Sequence, residues 1–397
     1  MQHQVSLYLG TSGLHLDVWD GYEINLSMLS PGSPWAFSLW RTGDLRREAQ
    51  WNRLREELAF GERVFVAVDG ATQLNGYIED IEHVVDPDQG EVLAISGRDL
   101  SGPALKWHAD PRLKLKGLTL LDALARLFAP LGITVRVSDG AAASMVQVGS
   151  ARGTRAHART TRRRGPRVDH SHPRPGETVW QVAEAICRRM GLLLWCAPDS
   201  EGNLVVVADV PDYRAEPLYT FHRRGPVGRT ETNILRSQHK VQVRDVPTEV
   251  TVYSEAPRGD TQSGRGETTI VNGTLLNAER LGGWRVTELL AQPQHILSQR
   301  ARTKAAAQRM AERVLADANA RLRTLTITVQ GHGQVRPAGQ VLYAVNTMAA
   351  VECDRYGLSE RMLLTELSMR GRANEGQTTA ITLTPQDAIQ LTPEEDA

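Results

Sequence analysis

Eight arginines, Arg152, Arg155, Arg159, Arg162, Arg163, Arg164, Arg167 and Arg174, fall in one short stretch with Asp169 as the acid among them. Guanidinium groups at this density suit phosphate oxygens of nucleic acid or lipid headgroups, or an acidic protein neighbour. No aromatic side chain interleaves the arginines, so the platform on which single-stranded bases stack is absent. Arg152, Arg155, Arg159, Arg162, Arg163, Arg164 and Arg167 are therefore candidate anion or partner contacts. His170-Ser-His172, with His157 nearby, is the one histidine cluster, and a zinc site would need further ligands in ordered geometry.

Acid–base chemistry needs carboxylates that converge. Glu79, Asp80 and Glu82 flank apolar Ile78 and Ile81, which reads as the solvated face of a strand, and Glu56-Glu57 reads as helix surface. Cys187, Cys196 and Cys353 form no metal-type or redox-type pair. Cys187 falls on an apolar helical stripe, as a buried thiol would. No zinc-protease, nucleophile-elbow, phosphate-loop or dinucleotide-binding motif is present. The residues point to no catalysis, no cofactor and no metal.

The elements around these residues repeat. Gly117 to Ile133 aligns without a gap onto Gly176 to Leu192. In the first copy Leu120, Leu124, Leu127 and Leu131 form a helical stripe, with Thr119 as N-cap, Gly132 as stop, and a strand at Ile133–Val137. In the second, Val179, Ala183, Ile186 and Met190 take the same places. There Thr178 caps, Gly191 stops, and Leu192–Trp195 is the strand. A looser echo links the ends: Gly61–Val68 reads like Gly339–Val345, and each is followed by two more strand-like runs.

The chain has 397 residues, with Lys plus Arg 46 and Asp plus Glu 46, so net charge exerts no global pull towards nucleic acid or membrane. The N-terminal residues show no secretory signal pattern, and no apolar run is long enough to cross a bilayer. The expected class is α+β and β-rich. Period-2 runs at 5–9, 15–19, 35–40, 63–68, 74–81 and 91–96 predict a first small antiparallel barrel over 1–104. Within it, 45–58 reads as a helix or a long loop. An α/β domain with the duplicated helix–strand unit follows over 105–216, carrying the Arg-rich insertion 138–175. A second barrel is expected over 217–390, with a polar excursion at 254–283 and a long helix at 299–323 before an acidic tail, 391–397. The helix is read from the stripe Ala307, Met310, Val314, Ala318 and Leu322, opposite a face with Arg302, Lys304, Arg309 and Arg313.

In this order the runs resemble the baseplate hub proteins of contractile phage tails, of the Mu-like and late-control-protein-D type, and the N-terminal half of type VI secretion spike proteins. Gly61-Glu-Arg-Val-Phe-Val, Leu74-Asn-Gly-Tyr-Ile78 and Ile95-Ser-Gly-Arg-Asp-Leu100 are similar to the closing strands of that family's first barrel. Gly176–Trp180, Gly191–Leu194 and Asp199–Val207 are similar to its middle domain. Ala338–Leu342, Leu363–Ser368 and Thr378–Pro385 are similar to its last barrel. The Arg-rich insertion and 254–283 depart from the pattern.

The resemblance implies a homotrimer with two tube-like barrels per chain. Six similar barrels would form a pseudo-sixfold ring between the hexameric tail tube protein and a trimeric spike protein. Other baseplate proteins are implied as neighbours, DNA as cargo through the channel, and the virion tail as the location. Because the chain stops at 397, the spike is expected on a separate protein. Two other readings stay open: a nucleic-acid-binding protein acting through the Arg-rich insertion, and a cell-wall-binding tail module, since the Gly-x-Thr–helix–Gly units resemble wall-binding repeats.

Overall fold

The computed structural model describes residues 3–41, 45–86, 90–137, 168, 172–198, 203–225, 231–242, 247, 249–254, 268–272, 280–281, 284–285, 293–298, 307–308, 310–312, 314–315, 318, 322–337, 339–373, 375–386 and 388–389. The fold is α+β and rich in strands.

The first stretch holds β1 (Val5–Leu9), β2 (His15–Leu16), β3 (Gly21–Ser27) and β4 (Pro34–Trp40), then helix α1 (Leu45–Glu57). Next come β5 (Arg63–Val68), β6 (Ala71–Asp86) and β7 (Gly90–Asp99). The 45–58 stretch is thus a helix. Trp51 and Leu54, one turn apart, are fully buried and tie it to the core. The β5–β6 turn uses Asp69 and Gly70, both at positive φ, as a tight hairpin requires.

The middle of the chain holds α2 (Ser101–Lys106), α3 (Leu120–Phe128), β8 (Val135–Val137), α4 (Val179–Arg189), β9 (Leu193–Pro198) and β10 (Leu204–Asp209). The duplicated unit forms as its sequence predicts. Thr119 accepts from the Asp122 backbone N–H, and Gly132 ends the first copy at φ 63. Thr178 and Gln181 form a reciprocal capping box on α4, and Gly191 follows at φ 71. The strands of the two copies do not touch: β10 lies between them, parallel to β8 and antiparallel to β9. Leu124, Leu127, Phe128, Trp180, Ala183 and Ile186 form the shared core, with the Phe128 and Trp180 rings edge to face. Trp195, on β9, packs instead with Met28, Met348 and Leu363.

The last part holds β11 (Tyr219–Arg224), β12 (Glu231–Thr232), β13 (Arg236–Val241), β14 (Glu249–Ser254), β15 (Thr268–Asn272), β16 (Arg280–Leu281), β17 (Trp284–Arg285) and β18 (Pro293–Ser298). It continues with β19 (Arg323–Gln330), β20 (Gly333–Arg336), β21 (Gly339–Leu342), β22 (Met348–Cys353), β23 (Leu358–Arg372) and β24 (Gly376–Pro385). The described residues between 307 and 322 are helical, and Ala307, Ala311 and Leu315 pack on Val250 and Val252 beside the β15-β14-β18 sheet. Arg302, Lys304, Arg309 and Arg313 lie outside the described residues.

A 14-stranded sheet dominates the chain. Its first half runs β2-β1-β5-β6-β7-β4-β3, and its second runs β12-β11-β22-β23-β24-β19-β13. The halves carry the same succession of hairpins, and β3 of the first pairs with β23 of the second. One apolar core spans both, from Val5 to Leu383. At about 25 cal/mol per Å² of apolar surface, this core is the main stabilising term.

Candidate assembly interface

The two halves match residue for residue at their long hairpins. In the first, Gly76 to Ile78 face Asp99 to Gly97, one residue bulges out, and Asp80 to Asp86 face Ser96 to Gly90. In the second, Met362 to Leu364 face Pro385 to Leu383, one residue bulges out, and Glu366 to Arg372 face Thr382 to Gly376. Glu79 and Thr365 are the two bulged residues. A bulge locally breaks the ladder and re-aims the strand, so its recurrence at the same place reproduces the same bend.

The next strands follow suit. Trp35 of β4 lies across from Gly97, and Leu325 of β19 lies across from Leu383. Gly21 of β3 faces Ser38, and Arg236 of β13 faces Thr328. One difference remains: β1 runs antiparallel to β5, whereas β11 runs parallel to β22. The echo between Gly61–Val68 and Gly339–Val345 is displaced in space. By strand order the counterpart of β5 is β22, and β21 pairs with β20.

Each long strand alternates between a buried apolar face and a polar one. Trp35, Phe37 and Leu39 are buried on β4, as are Leu325, Ile327 and Val329 on β19. The opposite face carries small and polar residues: Ala36, Ser38, Ala94 and Ser96 in the first half, and Thr326, Thr328, Ala380 and Thr382 in the second. Most of this face stays wetted, and at its end Val84, Val92 and Trp40 lie across from one another, with Val84 and Trp40 exposed.

Within the chain the halves meet where β3 lies along Glu366–Arg372, past the bulge, on the same edge of β23 that carries β22 before it. Ile24 faces Met369 and Leu26 faces Leu367. On the wetted face Glu23 Oε1 accepts from Arg370 Nη2 at 2.8 Å. Burial raises the Glu23 carboxyl, but Arg370, Asn25 and Ser368 outweigh it and hold the group below the usual range. Tyr22 faces Gly371, and a side chain at 371 would overlap the tyrosine ring.

A hydrogen-bonded latch extends this junction. Tyr22 Oη meets His332 Nε2 at 2.6 Å, and His332 Nδ1 meets Thr379 Oγ1 at 2.9 Å. His3 Nδ1 lies 2.6 Å from Asp69 Oδ2, and Gln377 Nε2 donates to the His3 carbonyl at 2.6 Å. Gln340 Nε2 lies 3.0 Å from His3 Nε2. Burial, with the His3 ring adding to it, pushes His332 down to about 4, and burial raises Tyr22 above the usual phenol range. A cavity of ≈ 690 Å³ opens beside the latch, lined among others by Trp19, Tyr22, Arg372 and Gln377. The His3–Asp69 pair of the first half meets the Gln340 and Gln377 amides of the second, so the arrangement ties the halves together.

Sequence-singled residues fall elsewhere. Arg152, Arg155, Arg159, Arg162, Arg163, Arg164 and Arg167 lie outside the described residues, as do His157 and His170. Glu79 accepts a forked pair of bonds from Arg98 at 2.7 and 2.9 Å, and Lys106 reaches it at 3.3 Å. Glu82 and Asp80 are exposed. Glu57 lies 3.9 Å from Arg53 on α1. Among the described residues no three His, Cys, Asp or Glu side chains converge as a metal site, and no helix is long and apolar enough to cross a membrane. Cys187 is buried, as its stripe predicts, and burial pushes its thiol up. The latch and the β3–β23 junction carry no local sequence signal, because their partners lie at opposite ends of the chain.

Residues 5–99 match the family described as Mu phage baseplate assembly protein GpP-like, N-terminal. The whole chain is similar in fold to the tail protein from Neisseria meningitidis, at 24% identity over 98% of each chain with a TM-score of 0.70. It is likewise similar to the 43 kDa tail protein of prophage MuSo2 from Shewanella oneidensis, at 18% identity over 99% of this chain and 100% of that one, TM-score 0.72. A chain of the Francisella PdpA-VgrG complex matches at 8% identity and TM-score 0.53, over 100% of this chain and 60% of that one. Comparison with curated proteins finds no match. The resemblance to phage baseplate proteins therefore stands on residues 5–99, and over the whole chain the likeness is one of fold.

Proposed function

We propose that this chain is a non-enzymatic baseplate hub of a phage tail or phage-like injection particle. Three copies form a ring of six tube-like barrels, two from each chain. One face of the ring docks on the hexameric tail tube, and the other seats the trimeric spike. Other baseplate proteins surround it, and DNA passes through as cargo. The observation that carries the reading is the residue-for-residue match of the two bulged hairpins. A chain with two equivalent modules converts threefold assembly into near-sixfold symmetry, which a hexameric tube requires.

The small and polar residues that make up most of this face of the long strands support a channel lining. The phage tail proteins that share the fold, and the VgrG-containing complex, support the tube and spike as partners. The experiment is a native mass measurement on the purified chain, alone and mixed with the trimeric spike protein of the same particle. Three chains per particle and a stable complex with the spike are expected. A single chain with affinity for neither spike nor tube would overturn the reading.

A further inference from the structure

The contact inside the chain is a template for a contact between chains. β3 has one edge on β4 and the other on β23. Its counterpart β13 has one edge on β19, and among the described residues no strand pairs with the other. The receiving strand β23 offers β3 the segment Glu366–Arg372, just past its bulge. Its counterpart β6 has the matching segment Asp80–Asp86 past its own bulge, paired with β7 on one side. On the other side β5 reaches only as far as Tyr77, and no described strand continues from there. Each chain thus ends in one donor strand and one receiving edge of the kind it has already joined internally.

We propose that β13 of one copy docks antiparallel along Asp80–Asp86 of β6 in the next copy, with Arg236 opposite Asp86, Lys240 opposite Glu82 and Val241 opposite Ile81. The occupant is a second copy of this chain, and the proposal rests on the ring reading and specifies its contact. The register comes from transferring the internal one. Gly21 opposite Arg372 becomes Arg236 opposite Asp86, and Leu26 opposite Leu367 becomes Val241 opposite Ile81.

That transfer uses backbone pairing alone, yet the side chains agree with it. Opposite charges meet at Lys240 and Glu82, and a cross-strand pair of this kind stabilises a sheet. The faces agree as well: Ser237, His239 and Val241 are the more buried residues of β13, and Ile81 of β6 faces the buried Ile95 of β7. Val84 and Val85 are 42% and 71% exposed on the receiving segment, the kind of bare apolar edge that a lone sheet must cover. The contact joins unlike edges, so it propagates head to tail, into a ring when the rotation closes, rather than forming a two-fold pair.

The test uses the purified full-length chain with Gln238→Cys and Val84→Cys, which the register places opposite one another. Mild oxidation should link chains covalently into dimers and closed trimers on a non-reducing gel, whereas the wild type and the off-face pair Q238C with I81C should give no such ladder. Charge exchange is the second arm. Lys240→Glu and Glu82→Lys alone should each weaken assembly about tenfold, and the two together should restore it. Assembly of normal mass with no 238–84 cross-link and no charge rescue would overturn the strand pairing and leave the trimer standing. A chain that stays single at all concentrations would overturn both.

Discussion

Trp35 lies directly across from Gly97, with its ring over the space a side chain at 97 would fill. At the equivalent place in the second module, Leu325 lies across from Leu383. One module fills the site with a large and a null residue, the other with two of middle size. Packing at crystal-like density demands such compensation. Gly97→Ala should be disruptive because a Cβ would overlap the Tyr77 carbonyl oxygen. We expect a loss of at least ~2 kcal/mol in urea unfolding. Trp35→Leu should cost about 2–4 kcal/mol through the cavity it leaves.

The seam between the modules should owe its strength to its buried face. Ile24 and Met369 are fully buried, whereas the Arg370 side chain is 60% exposed. Met369→Ala should therefore lower stability by about 2–4 kcal/mol, and Arg370→Ala by less than about 1 kcal/mol. Unfolding midpoints at neutral pH give both values, and equal losses would place the strength of the seam in the ion pair instead.

Stability should fall as pH drops through the range set by His332. Its folded value is about 4 against an ordinary 6.5. Above 6.5 both folded and unfolded states hold it neutral, so it has no effect. Below 6.5 the unfolded chain takes up the proton first, which favours unfolding, and the loss levels off below about 4. The full effect is about 3 kcal/mol. Thermal melts from pH 7 to 4 should show this slope, and His332→Gln should flatten it.

Helix caps in the middle domain should count unequally. Thr178 and Gln181 cap α4 reciprocally, while Thr119 caps α3 with Asp122. Thr178→Ala should cost about 1 kcal/mol, at least as much as Thr119→Ala. Gly191, at φ 71, should resist Gly191→Ala by about 1 kcal/mol for backbone reasons alone. Denaturant melts of the three variants compare them directly.

What was legible in the sequence was local. Thr119, Gly132, Thr178 and Gly191 mark their helices because capping is settled within a few residues, and the leucine stripe of α3 follows from helical period. The first helix is less plain because its charged residues hide Trp51 and Leu54. The echo between the ends falls one strand early, since Gly339–Val345 resembles Gly61–Val68 in type while β22 takes the place in the sheet. Register between β3 and β23 depends on residues at opposite ends of the chain, and no local pattern fixes it. The His3–Asp69 and Tyr22–His332 contacts are hidden for the same reason. Lone histidines and a tyrosine carry no spacing signal.

The central claim is that equivalent modules close into a ring of three chains. Direct imaging of the purified protein tests it, through averaged electron-microscopy views down the particle axis. The account predicts a closed ring with six similar densities in three pairs around an open channel. An isolated two-module particle, or an open filament of unlimited length, would contradict it.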